Sequence, residues 1–207
     1  MPEQSDKRPL VLAFDTSAAH CAAALLSGDR VLASRVEQMA KGQAERLLVL
    51  CEELLSEAGV TYGDLTALGV GIGPGNFTGI RIAVSAARGL ALGLGIPAVG
   101  VDAFDALREG HDGPCACAVD ARRDQVFLQG FDNAAISTPA LYDAAALPAF
   151  TGPLIGADGE PPAMPVAEAI ARITARRFAS NPTRPAPLYL RPADAAPARD
   201  APPVLLP

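Results

Sequence analysis

Between residues 71 and 81 the chain reads Gly71-Ile-Gly73-Pro-Gly75-Asn76-Phe-Thr78-Gly79-Ile-Arg81. Set between a strand and a helix N-terminus, such a loop offers unpaired backbone N–H groups and the positive end of a helix dipole to an anion such as phosphate. The spacing is neither the dinucleotide G-x-G-x-x-G nor a P-loop ending in G-K-[ST]. A structural reading competes: the glycines permit left-handed turns and close helix–sheet approach, with Asn76 or Thr78 capping the helix. Further upstream, Asp15-Thr16-Ser17 ends the first apolar run. A carboxylate there reads either as a metal-water ligand or general base, or as the acceptor that closes a turn.

Other groups able to do chemistry are sparse. The four cysteines, Cys21, Cys51, Cys115 and Cys117, form no C-x-x-C pair and stand among Ala, Leu and Val, as small buried hydrophobes do. Cys115 and Cys117 alternate along a strand and offer two thiolates to a metal, but no further Cys or His follows at ligand spacing. The two histidines, His20 and His111, are far apart in sequence. No catalytic residue and no metal ligand set is therefore assigned. A formal net charge of −6 opposes a phosphate backbone, since nucleic-acid affinity rests largely on Lys and Arg. Arg122, Arg123, Arg172, Arg176 and Arg177 read as a solvated face rather than a nucleic-acid-binding module.

The elements that must position these groups are clearest in the first hundred residues. Leu10–Phe14 and Ala22–Leu26 are strand-like apolar runs, and Ser27-Gly28-Asp29 supplies turn chemistry before a third strand ending near Gln38. Helical spacing follows from Gln43 to Ala58, with Ala44, Leu47, Leu48, Cys51, Leu54, Leu55 and Ala58 on one stripe, and Gly59 closes it. A strand over Leu65–Ile72, a helix over Ile80–Leu94 and a strand from Pro97 to Val101 complete the order βββαβαβ. That order predicts a mixed sheet: a three-strand meander extended by strands that need helical crossovers. Later, Ala116–Val119 and Val126–Phe131 read as a hairpin and Pro165–Phe178 as a helix. From Thr151 onward the chain holds 12 of its 19 prolines, so regular structure there must be short. The first hydrophobic stretch is interrupted by Asp15, which argues against an export signal. The longest charge-free run, Leu65–Ile80, is too short and too broken to cross a bilayer; a cytoplasmic protein with no membrane partner is expected.

The helix behind the glycine loop is apolar almost all round, its only charges being Arg81 and Arg88 on one edge. Ile80, Ala83, Val84, Ala87, Leu90 and Leu94 form a bulky face for the sheet. Ile82, Ser85, Ala86, Gly89 and Gly93 form a second face of mostly small residues. Such a helix must be covered on both sides, and small residues let a neighbouring helix approach closely. The cover is either the helix at 43–58 or a partner protein.

Four segments carry a resemblance: Leu12-Ala-Phe-Asp15-Thr16-Ser17, the loop Gly71–Arg81, Val119-Asp120-Ala-Arg122, and Pro187-Leu-Tyr189-Leu-Arg191. Together they resemble the TsaB (YeaZ) family, strongly over residues 10–130 and more weakly beyond. The resemblance implies an actin-like ATPase (ASKHA, ribonuclease H-like) α/β fold. It implies an N-terminal lobe over 10–110 and a reduced C-terminal lobe over 111–192, flanked by a disordered start (1–9) and a Pro-rich tail (193–207). It further implies a role in forming N6-threonylcarbamoyladenosine at position 37 of tRNA, beside a catalytic TsaD-type paralogue and a small TsaE-type ATPase. On this reading ATP and a metal belong to the partner subunits, tRNA is met only through the complex, and the chain pairs with itself when alone. The implied pairing surface is a bundle of the two helices, with Leu47, Leu50, Cys51, Leu54, Ile82, Ser85, Ala86, Gly89 and Gly93 as its residues. Asp15, Thr16, Ser17, Gly73, Gly75, Asn76, Thr78, Asp120 and Arg122 are then a vestigial nucleotide loop or family motif. Laid on the paralogue's metal-binding His-x-x-x-His, this chain has Ala103 and Leu107. The alternative is a stand-alone nucleotide-dependent transferase or a metallopeptidase-like enzyme of the same fold.

Overall fold

The computed structural model of the protein describes residues 8–180 and 182–190. Residues 1–7 of the expected disordered start (1–9), the Pro-rich tail at 193–207 and Arg191 of the last motif lie outside the described residues.

Strands β1 (Leu10–Asp15), β2 (His20–Ser27) and β3 (Arg30–Gln38) form the antiparallel meander. β4 (Ala67–Gly71) then pairs parallel with β1, and β5 (Ala98–Val101) parallel with β4, giving the order β3-β2-β1-β4-β5. The βββαβαβ order and the α/β class read from the sequence are those observed. Because successive strand residues point to opposite faces, β1 serves two cores at once. Leu12 and Phe14 face helices α1 (Gln43–Glu57) and α2 (Phe77–Leu94), while Val11 and Ala13 face the other side. All four are fully buried, as expected of a central strand covered on both faces.

The cover on the second face is a helix from late in the chain, α4 (Val166–Arg177), whose Ala169, Ile170, Ala171 and Ile173 pack on Val11, Ala13, Val99 and Val101. A lobe boundary at 110/111 therefore needs correction here, since α4 belongs physically to the first sheet. Regular structure over 151–165, where Pro153, Pro161, Pro162 and Pro165 fall, is short, and Pro165 opens the helix, where a missing N–H costs nothing.

A further helix, α3 (Ala103–Arg108), follows β5; Asp102 caps it by accepting the Asp105 amide at 2.9 Å. Its six residues are too few for a periodic pattern, and the sequence reading passed over it. The remaining strands, β6 (Cys115–Arg122), β7 (Gln125–Phe131), β8 (Ala140–Asp143) and β9 (Leu154–Gly156), make a second sheet in the order β8-β7-β6-β9. The expected hairpin is β6–β7, turning at Arg123-Asp124 with φ of 54° and 57°. Two positive φ values mark the primed turn that suits strand twist.

By length and composition α2 is long and apolar enough to span a bilayer. It is instead the crossover between the parallel neighbours β4 and β5, so both of its ends return to one sheet.

Candidate functional site

The glycine loop and the Asp15 turn meet each other, and the reason lies in backbone proximity. Thr16 Oγ1 donates to the Gly79 carbonyl at 2.7 Å, and the Asn76 amide donates to the Ser17 carbonyl at 2.6 Å. A Cβ on Gly79 would lie 1.8 Å from the Thr16 carbonyl oxygen, and one on Gly75 2.4 Å from that of Ser17. A Cβ on Gly71 would meet Asp15 Oδ2. Any side chain at these positions would drive the two segments apart. Asn76 is the cap of α2, its Oδ1 accepting the Gly79 amide at 3.0 Å. The helix begins at Phe77 rather than Ile80, so Thr78 lies within its first turn and is exposed, not a cap.

Asp15 is 2% exposed, and its Oδ1 accepts both the amide and the hydroxyl of Ser17 at 2.9 Å. His20 Nε2 lies 2.7 Å from the same oxygen. This is the turn-closing use of a carboxylate, with an imidazole as additional partner. The positive end of α2 thus faces the chain's own carbonyls and a side-chain cap. Asp120 belongs elsewhere, exposed at the end of β6 with Oδ1 accepting the Arg122 amide at 2.8 Å, where it shapes the hairpin turn. The motif residues therefore divide between two sheets.

The second candidate region is the outer surface of α1 and α2, and here the expected residues need correction. Leu47, Leu50, Cys51 and Leu54 are at most 1% exposed and pack with Leu12, Phe14 and Val70 in the chain's own core. They present nothing to a partner. The large apolar residues that α1 exposes are Leu48 and Val49, and Ala44 is exposed as well. The stripe had assigned Ala44 and Leu48 to the core together with Leu47 and left out Leu50; Ala44 and Leu48 lie outside, while Leu47 and Leu50 pack with Cys21, Ala23 and Leu25 of β2. On α2 the small-residue face is open. Ser85, Gly89 and Gly93 are exposed, Ile82 and Ala86 half-buried, and no atom lies within 4 Å of a Cβ built at Gly89 or Gly93. Helix α1 does not close over those glycines. Beside them Leu92 is 84% exposed, a position that helical spacing alone did not single out.

An ion network frames this surface. Arg46 on α1 donates to Glu37 on β3 at 2.7 Å and to Glu53 at 2.6 Å, and Arg35 donates to Glu53 and Glu57. Hydrogen bonding to Arg46 holds both Glu37 and Glu53 below the ordinary carboxylate range. At the other end the extended segment 182–190 crosses α2. Leu188 donates its amide to the Ile72 carbonyl at 2.8 Å, and the Pro185 carbonyl accepts Arg88 Nε at 2.7 Å. Tyr189 accepts Arg81 Nε at its hydroxyl, 2.9 Å away, and its ring centroid lies 4.9 Å from that of Phe77. Leu190 packs into the core of the second sheet. The two α2 arginines and the Pro-Leu-Tyr motif were visible in the sequence, but their 108-residue separation hid their partnership.

The cysteines are all buried. Burial pushes the Cys21 thiol up to about 11 and the Cys51 thiol to about 12; burial, with neighbouring Cys115, raises Cys117 as well. The thiolate that a metal or a nucleophilic step requires is disfavoured at these positions. Ala103 and Leu107 sit one turn apart on α3, with Leu107 against Gly156. Among the described residues no cluster of three or more His, Cys, Asp or Glu has metal-site geometry.

Comparison with known proteins agrees with this architecture. The family model described as TsaD, tRNA N6-adenosine threonylcarbamoyltransferase, matches residues 31–182. An uncharacterized protein of Mycobacterium tuberculosis is 34% identical over 200 residues, covering 90% of this chain and 94% of that protein. The Escherichia coli tRNA threonylcarbamoyladenosine biosynthesis protein TsaB is 34% identical over 122 residues. That alignment covers 56% of this chain and about half (52%) of the relative's length. The structure of YeaZ from Pseudomonas aeruginosa superposes with a TM-score of 0.72 at 29% identity, over 88% of this chain and 100% of the other. With the mixed α/β architecture, the glycine-loop motif, the family-model match and these relatives in agreement, the chain belongs to the TsaB (YeaZ) family.

Proposed function

We propose that this chain is the non-catalytic partner subunit in N6-threonylcarbamoylation of adenosine 37 of tRNA. It docks through the outer surface of α1 and α2 onto a TsaD-type catalytic paralogue. A TsaE-type small ATPase binds the resulting pair, tRNA is engaged only by the assembly, and the isolated chain pairs with a second copy of itself. The setting is the cytoplasm. What carries the reading is one feature: a helix whose Gly89 and Gly93 meet nothing and whose Leu92 is 84% exposed. Leaving a side chain of that size in water forgoes about 2 kcal/mol of burial, which an interface recovers. The corrected docking set is Leu48, Val49, Ile82, Ser85, Ala86, Gly89, Leu92 and Gly93.

The sealed loop supports the non-catalytic part of the reading. The Ser17 carbonyl takes the Asn76 amide and Asn76 Oδ1 takes the Gly79 amide, so part of the anion-binding capacity at the α2 N-terminus is already used by the chain itself. The test is reconstitution with tRNA, ATP, bicarbonate and threonine, with and without this chain. Modified adenosine is expected only when the chain is present; full modification in its absence overturns the proposal. ATP turnover or metal content measured on the isolated chain separates it from a stand-alone transferase or metallopeptidase-like enzyme.

A further inference from the structure

The open face of α2 has a polar end. Residues four apart on a helix lie on one line, so Arg81, Ser85, Gly89 and Gly93 form a straight exposed stripe with Leu92 at its far end. Arg81 is the single cation of that stripe, and it is braced. Its guanidinium carbon lies 3.8 Å from the Phe77 ring centroid and 5.9 Å from that of Tyr189, and its Nε is tied to the Tyr189 hydroxyl at 2.9 Å. Stacking on two rings holds the planar group in place. One nitrogen is thereby used, and the two terminal nitrogens have no hydrogen-bond or ion-pair partner among the described residues. The other α2 cation is spent differently, since Arg88 donates to the Pro185 carbonyl and is half-buried.

An immobilised guanidinium with a free outer edge is the donor pair that a carboxylate fills with two parallel hydrogen bonds. An arginine already fixed loses little side-chain entropy when a partner arrives. We infer that Arg81 is the specificity-determining anchor of the α2 surface, taking a carboxylate from a helix of the partner subunit laid along the Ser85–Gly89–Gly93 groove. Tyr189, delivered by the segment 182–190, acts as its positioning residue. The inference rests on the docking role proposed above: the small residues set how close the partner helix comes, and Arg81 sets which helix and which register.

The experiment measures affinity of the full chain for the TsaD-type paralogue by titration calorimetry, with thermal melts as a control on folding. Arg81 is exposed, so its variants are expected to melt as the parent does. Arg81→Ala should weaken pairing at least tenfold, and Arg81→Lys should recover only part of that loss, because a point charge lacks the fork. Arg81→Glu should abolish pairing, and Tyr189→Phe should weaken it a few-fold while leaving the charge in place. Raising salt should weaken the parent more than Arg81→Ala. If Arg81→Ala and Arg81→Glu bind like the parent while Leu92→Asp does not, the anchor is wrong and the docking face stands. If Leu92→Asp also binds like the parent, the docking face itself is wrong.

Discussion

Glycine does opposite jobs at the two ends of α2. At its N-terminus Gly75 and Gly79 are glycine because a neighbouring carbonyl occupies the space of a side chain, at 2.4 and 1.8 Å from the missing Cβ. About three and four turns further on, Gly89 and Gly93 face open space. The chain's own fold gives no steric reason for glycine there, and the residue costs helix stability. The first pair is explained inside the molecule; the second has no steric explanation among the described residues, and the proposed docking surface supplies one. Composition cannot distinguish the two; the distance to the nearest atom does.

The sharpest way to break this comparison is to add one methyl group at each end. Gly79→Ala should destabilise the fold by about 3 kcal/mol, the upper range for overpacking against backbone, read as a lower urea midpoint. A variant as stable as the parent would show that the Thr16–Gly79 junction opens at little cost. Next in size, Leu92→Asp should leave the urea midpoint within about 0.5 kcal/mol of the parent while abolishing the complex on size-exclusion chromatography. Gly89→Leu should likewise block pairing through crowding, without unfolding the chain. Gly89→Ala is smaller and more telling, because its two effects have opposite signs. It should stabilise the isolated subunit by about 0.5–1 kcal/mol through helix propensity and weaken pairing. A variant that gains stability and pairs normally would remove the close-contact explanation of that glycine.

The smallest expected effect concerns pH and the frame around the docking surface. Glu37 and Glu53 are held below their ordinary value of 4.5 by hydrogen bonds from Arg46. A carboxylate with a lowered folded-state value binds protons less readily than in the unfolded chain. Its stabilisation is therefore complete above that ordinary value and is lost as pH falls through the lower folded one. Arg46→Gln should lower stability modestly at neutral pH, the effect being screened because these groups are partly exposed, and its profile should converge with that of the parent as pH falls below about 4.5, a flatter acid limb. An identical acid limb in the variant would assign that slope to other carboxylates.

Much of this was legible in the chain. The short apolar runs, the turn at Gly28-Asp29 and the helical spacing of residues 43–58 marked the meander and α1, because each signal is local. The short helix α3 was not legible, its six residues being fewer than two turns. The docking residues were half legible. Periodicity placed Ser85, Gly89 and Gly93 on one face correctly, but it could not say which of two adjacent leucines, Leu47 or Leu48, faces the sheet. That depends on how α1 is rotated on β2, which is settled by packing rather than by spacing.

By itself the sequence determined the order of elements, the absence of a local metal-ligand pattern and the motifs that mark the family, because these depend on residue type and near-neighbour spacing. Only the tertiary structure decided that the glycine loop is filled by the Asp15 turn, that α4 closes the first sheet, and that Tyr189 braces Arg81. Each of those joins residues dozens of positions apart. Contacts of that span arise from the simultaneous packing of several elements, and no local pattern encodes their geometry.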